Sequence, residues 1–378
     1  MLCKNCGMDT SGEVCVNCEN LINASEDEKN VALSEQQQEE PQQLRQQHEQ
    51  QQQKEQQGSA QVPTLSSGAK FFRNYFGLVI MGVFSLVTIF TFLGDGRIHL
   101  DLLFRQFWIL GIVAAGAVAA TQIKGPDLSM GAMMTVVVAI VAWMFRETGS
   151  ITAGIVTAII VCLFYGMLNG AIISFLGAPA IIITVITAAS MMSTSMFFLD
   201  FRNIHFSELV TRDQSHFAIM LLIAVMLAIT AMLITKKLIP NKSGQQRRGF
   251  PRLTTMLGYA IVAIIAGIAG YATLARVGVA SLWVGDGLEI RILVIFAAIQ
   301  SSRLLKNGVV ALIYGLFVAL ILTMSAINNA SALPWVQPAT EASLAIWLIC
   351  AACAAQGGWR TVLGTNLEPV EQRIGQNQ

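Results

Sequence analysis

Charge is scarce in this chain. Aspartate and glutamate number 23, lysine and arginine 24, and histidine 4, in 378 residues. Charged residues make up 12% of the sequence, against about 25% in an average soluble domain. A formal net charge of +1 leaves no basic footprint, which excludes a nucleic-acid binder. No phosphate loop of the form G-x4-G-K-S/T occurs, so any ATP hydrolysis has to come from a partner. No Ser-His-Asp set or carboxylate dyad stands out either, and the chain does not read as an enzyme. The polar, cysteine-rich start, Met1 to Asn20, lacks the apolar run of a signal peptide.

Apolar side chains are what the sequence has in excess. They form 54% of it, and the mean hydropathy is +0.58 although roughly the first seventy residues are polar. An ordinary soluble enzyme and a secreted disulfide scaffold are both excluded. The composition predicts an all-α polytopic membrane protein with a soluble N-terminal appendage.

Four of the seven cysteines lie in residues 1–23, as Cys3-x2-Cys6 and Cys15-x2-Cys18, with Gly7 after the second. Each pair forms a knuckle that aims two thiolates at one point, and two knuckles supply the tetrahedral sulfur set that Zn²⁺ prefers. Two disulfides would use the same four sulfurs. So short a segment has almost no core, and metal binding would supply its folding free energy. Thiolate ligands imply a reducing compartment for this end. Residues 24–69 form a linker in which nearly every position from Glu35 to Gln57 is Gln or Glu, too polar to bury a core. Residues 366–378 are a short tail.

Between them, residues 70–365 read as about ten transmembrane helices. The candidate spans are 76–93, 107–123, 128–145, 151–176, 180–199, 217–234, 254–274, 290–299, 308–326 and 342–355. Several are short or glycine-interrupted, as in broken or re-entrant helices. With the N-terminus inside, alternation over ten spans puts 13 basic residues on the inner side. Lys236, Lys237, Lys242, Arg247, Arg248 and Arg252 form the densest group. Seven fall outside, namely Arg97, Arg105, Arg146, Arg202, Arg212, Arg276 and Arg291. This satisfies the positive-inside rule and places both termini in the cytoplasm.

The segment Lys124-Gly125-Pro126-Asp127-Leu128-Ser129-Met130-Gly131 has the composition of a helix break, with a carboxylate between two apolar spans. Asp127 can serve there as the N-cap of the next helix or as a functional group of a membrane pathway. Glu289 and Arg291 read as charges near the outer face, Glu341 as a helix-start charge, and His205 and His216 as solvated loop residues. Cys162, Cys350 and Cys353 read as small buried hydrophobes.

This segment resembles the permease subunits of ribose-type and branched-chain-type ABC importers, which carry a stretch similar to "GGIDLSVG". Further segments resemble the same family in the same order. They are Gly166-x-x-Asn169-Gly170, Ala178-Pro179-Ala180-Ile181-x-x-Thr184, Ala266-Gly267-x-Ala269-Gly270, Gly285-x-Gly287-x-Glu289, and Lys306-Asn307-Gly308 through Asn328-Asn329. The resemblance covers residues 98–355. It implies a ten-span permease with a partner ABC ATPase, an extracellular substrate-binding protein and a second permease subunit. Gly125, Asp127, Ser129, Gly131 and Asn169 then belong to the translocation pathway. The coupling contact to the ATPase falls on Asn241, Lys242, Gln245, Arg247 and Arg248. That loop is short and basic, broken by Pro240, Gly244, Gly249 and Pro251, and lacks the family's "EAAR-SG" pattern.

Overall fold

The computed structural model describes residues 67–94, 100–206, 210–211, 213–238, 250–301, 307–329 and 336–356. The four N-terminal cysteines and the loop residues Asn241, Lys242, Gln245, Arg247 and Arg248 lie outside them. Ten helices follow one another: α1 (Ser67–Gly94), α2 (Leu100–Ile123), α3 (Met130–Thr148), α4 (Ile151–Leu176), α5 (Ala180–Leu199), α6 (Gln214–Leu238), α7 (Phe250–Val277), α8 (Leu288–Gln300), α9 (Gly308–Asn328) and α10 (Val336–Gln356). Two short strands, β1 (Ile204–His205) and β2 (Val279–Ala280), pair antiparallel and join the α5–α6 and α7–α8 connections.

Nine of these helices are long and apolar enough to cross a membrane. The exception is α8, whose 13 residues extend only about 20 Å, against about 30 Å of hydrocarbon. The span expected at 290–299 is therefore half a helix. The rest of that passage is made by non-helical residues 281–287, which run from the β2 end toward α8. Backbone of this kind is tolerated at membrane depth only where it is buried in protein or lines a water-filled cavity; within the segment Gly285 is buried, while Trp283, Asp286 and Gly287 are exposed.

Helices α2, α3 and α7 form the inner layer, with 61%, 72% and 67% of their spanning windows buried; α1, α4, α5 and α6 have 22–28% and form the outer layer. Outward faces carry large apolar residues such as Phe90, Ile160, Phe164, Ile186 and Leu222. The buried core is apolar as well, a distribution that a lipid solvent permits. Close approach of α4 to α7 follows from Gly166-x-x-x-Gly170, two glycines one turn apart on one face. A Cβ on Gly166 would stand 2.6 Å from the Ala260 Cα, and one on Gly170 2.5 Å from the Met256 Cα.

Local signals set the helix ends. Gly149 and Gly177 terminate α3 and α4 in the left-handed conformation, Ser150 caps α4 by accepting from the Ala153 N–H, and Asn307 caps α9 by accepting from Val309. Asp213 accepts from the N–H and hydroxyl of Ser215 at the start of α6; these bonds hold its carboxyl below the ordinary carboxylate range. His216 is solvated as expected, 60% exposed, but lies in the first turn of α6 and not in the loop, 3.2 Å from the same carboxylate. At the opposite face Arg252, near the start of α7, stacks over Phe175 near the end of α4 at 4.9 Å.

Side-chain contacts also order the helix directions. Asn328 at the end of α9 donates to the Thr88 carbonyl and Thr91 hydroxyl near the end of α1, so α1 and α9 run parallel. The end of α8 lies beside the first half of α1, where Ser301 meets Gly77. Among the described residues, α10 therefore runs back toward the side where α1 begins.

Candidate functional site

The interruption between α2 and α3 is where the fold departs most from a plain bundle. Helix α2 ends at Ile123, Gly125 takes φ +150, and α3 starts at Met130. Residues 125–129 are all buried. Asp127 faces Asn169 through Ser129, and Asn169 lies seven residues, or about 10 Å, inside the end of α4. The turn is therefore inside the bundle and not at its rim.

One hydrogen-bonded chain runs through it. Asp127 Oδ1 accepts from the Ser129 N–H at 2.9 Å and from its hydroxyl at 2.5 Å. Ser129 Oγ accepts from Asn169 Nδ2 at 3.2 Å, and Asn169 Oδ1 accepts from the Thr187 hydroxyl at 2.6 Å. The Leu128 N–H donates to Thr184 Oγ1 at 3.1 Å, while the Tyr259 hydroxyl donates to the Gly125 carbonyl at 3.2 Å. Residues from α4, α5 and α7 are thereby tied to one turn. Asp127, Ser129, Asn169, Thr184 and Thr187 are all buried, with Thr184 at 0%. Backbone groups freed by the helix break find partners here, as burial in a low-dielectric interior requires.

Asp127 holds the helix start in a different way from an N-cap. The residue at the N-cap position of α3 is Ser129, whose side chain makes no cap bond. The Asp127 carboxylate instead closes an Asx turn onto Ser129.

Gly131, one residue into α3, meets the second interruption. A Cβ on Gly285 would fall only 1.9 Å from the Gly131 carbonyl oxygen, and one on Gly131 2.5 Å from that of Gly285. The Gly285 N–H donates to Thr135 Oγ1 at 3.2 Å. Two helix N-termini, those of α3 and α8, thus converge within the bundle. Each carries a nearby carboxylate, Asp127 and Glu289. Discontinuous helices meeting in this manner are how membrane proteins bring polar backbone to their interior.

The five residues Gly125, Asp127, Ser129, Gly131 and Asn169 accordingly sit in one buried region. Sequence reasoning missed Tyr259, Thr187, Thr135 and the role of Gly285. A usable signal existed in α5, where Thr184 and Thr187 repeat at helical spacing within an apolar run.

Two expectations about charges need correction. Arg291 is not at the outer face, and Glu341 is more than a helix-start charge. Arg291 Nε donates to both oxygens of Glu341 at 3.1 Å, Gln337 adds a third bond, and the Glu341 carboxylate side chain is 4% exposed. The pair joins α8 to α10, because a cation inside the bundle needs an anion beside it. Cys350 is likewise exposed on α10, while Cys162 is buried.

Among the described residues no group of three or more His, Cys, Asp or Glu could hold a metal. Fold and site define an all-α polytopic membrane protein with a polar turn buried among its helices. Compared with known proteins, the chain matches no family model, no curated protein and no solved structure.

Proposed function

We propose that the chain is the membrane-spanning permease subunit of an ABC importer for a small solute, a sugar or a nucleoside. The observation that carries this reading is the buried Asp127–Ser129–Asn169–Thr187 chain at the 124–129 break, together with the contact of Gly131, in the first turn of α3, with Gly285 of the second interruption, 281–287. Solute pathways in transporters run beside such broken helices. The ordered run of family-like segments points the same way. The subunit resides in the plasma membrane with both termini cytoplasmic. Without Arg291, which is engaged by Glu341, the basic residues divide 13 inside to 6 outside. Its partners are an ABC ATPase, an extracellular substrate-binding protein and a second permease subunit.

The decisive experiment reconstitutes the protein with its ATPase and binding protein and tests a panel of pentoses, hexoses and nucleosides. Uptake and solute-stimulated ATP hydrolysis are expected only when a second permease with a typical coupling loop is present. In that complex Asp127→Ala should lower uptake at least about tenfold, or 1.4 kcal/mol in the barrier, beyond any loss of membrane expression. Equal losses would reduce Asp127 to a turn-former.

The atypical loop 236–252 favours a second reading, a permease-like membrane scaffold or sensor that binds partners through its N-terminal ribbon. Absence of uptake with and without a second permease would select it. Under both readings Cys3, Cys6, Cys15 and Cys18 bind one Zn²⁺. Full-length protein purified under reducing conditions should carry one zinc per chain by elemental analysis, lost on Cys6→Ser. Two disulfides and no zinc in that preparation would refute the ribbon.

A further inference from the structure

A narrow apolar slot opens on the flank of the bundle, away from the polar turn. It has a volume of about 300 Å³ and is walled by α3, α4, α6 and α7. Helices α4 and α6 each pack along α7 but not along each other, so a gap stays open between them. Ile159 on α4 and Ile223 on α6 form its lips, 45% and 47% exposed. Gly267 on the floor helps to keep it open, since a Cβ there would stand 2.8 Å from Cys162 Sγ.

The lining residues order themselves along the helix axes. Val141, Ile155, Met220 and Tyr271 mark one end, on the side of the α3–α4 turn. Val137, Cys162, Leu227 and Ile264 mark the deeper end. On α4, α6 and α7 the two ends are seven residues apart, so the slot runs about 10 Å parallel to the helices. A leaflet offers about 15 Å of hydrocarbon. The wall holds no charged side chain, and its floor is the buried Cys162 thiol.

We infer that this slot is a binding site for one acyl chain of a phospholipid, drawn from the leaflet on the side of the α3–α4 turn. An empty apolar gap leaves its lining atoms without dispersion partners. Apolar cavities of this kind stay dry and take up apolar guests. The slot opens sideways among helices long and apolar enough to cross a membrane, where the surrounding solvent is hydrocarbon. Its direction matches that of a chain lying along the bilayer normal. Because no charge lines it, the site selects the chain and not the headgroup. It is independent of the proposed transport function.

The test uses the full-length protein in phosphatidylcholine vesicles containing a phosphatidylcholine with a mid-chain diazirine. After photolysis, labelled positions are located by peptide mass spectrometry. Labelling of the slot residues should exceed that of Ile160 and Leu222 on the open lipid face. Ala158→Phe, which fills the slot, should lower slot labelling about tenfold, equivalent to 1.4 kcal/mol of binding. Ile223→Trp, at the exposed lip, should also lower it without altering the core, and Ile160→Phe should not. The same chain carried on phosphatidylglycerol should label equally. Slot labelling no higher than at Ile160, or unchanged by both Ala158→Phe and Ile223→Trp, would overturn the site. So would a headgroup preference, or copy-to-copy crosslinks through the slot, which would make a second chain the occupant.

Discussion

Gly285→Ala should prevent recovery of folded protein. The added Cβ would stand 1.9 Å from the Gly131 carbonyl oxygen, 2.4 Å from its carbonyl carbon and 2.8 Å from its Cα. All three are backbone atoms, so no rotamer change relieves the overlap, and α3 must part from the 281–287 segment. Overpacking a well-packed interior costs about 1–3 kcal/mol where side chains can yield, and this site lies beyond that range. Separation would also strip the Gly285 N–H of its Thr135 acceptor, leaving a buried donor unmatched at about 1–3 kcal/mol. Gly82→Ala on α1 is the control, with nothing within 4 Å of its added Cβ. Monodisperse yield in mild detergent, followed by thermal unfolding, checks both. Gly285→Ala protein with an unchanged transition would show that the two interruptions do not abut.

Glu341→Ala should destabilise strongly, and Arg291→Leu combined with Glu341→Leu much less. Removing one partner leaves the other charge in a low-dielectric interior, a loss of about 3–5 kcal/mol for a buried pair. The lower end applies, because the Arg291 side chain retains 23% exposure. Replacing both charges with apolar groups removes the desolvation penalty together with the attraction, and such replacements are often neutral. The comparison of single and double variants by thermal unfolding isolates the pair. Equal destabilisation in all of them would assign the loss to packing between α8 and α10 instead.

Much of the bundle was legible in the chain, because a membrane-crossing helix needs only a long apolar run. Nine such helices stand close to where those runs lie. The run at 290–299 was legible as a short helix, but a short apolar stretch looks alike in a truncated span and in a buried half-helix. The non-helical stretch that precedes it, Ser281 to Gly287, has no helical period to read. The break at 124–129 was legible for a local reason. Gly-Pro-Asp disfavours continued helix, and any fold must accommodate that.

Partners across the fold were hidden. Asp127 could be marked as unusual, but its link through Ser129 to Asn169 and Thr187 spans sequence separations of 40 and 18 residues. Arg291 and Glu341 are 50 residues apart, and each alone looked like an interfacial charge. The contact of Gly131 with Gly285 rests on two glycines among 31.

By itself, then, the sequence determined that the chain is helical, apolar and broken at 124–129, since those properties arise from local composition and backbone chemistry. Which helices lie inside was decided only by tertiary structure. Helix α4 is more apolar than α2, yet 22% of its spanning window is buried against 61% for α2. Hydrocarbon and protein interior are equally apolar surroundings, so hydropathy cannot distinguish a lipid-facing helix from a central one. Small residues that let helices approach, and polar groups that find partners at close range, made that choice.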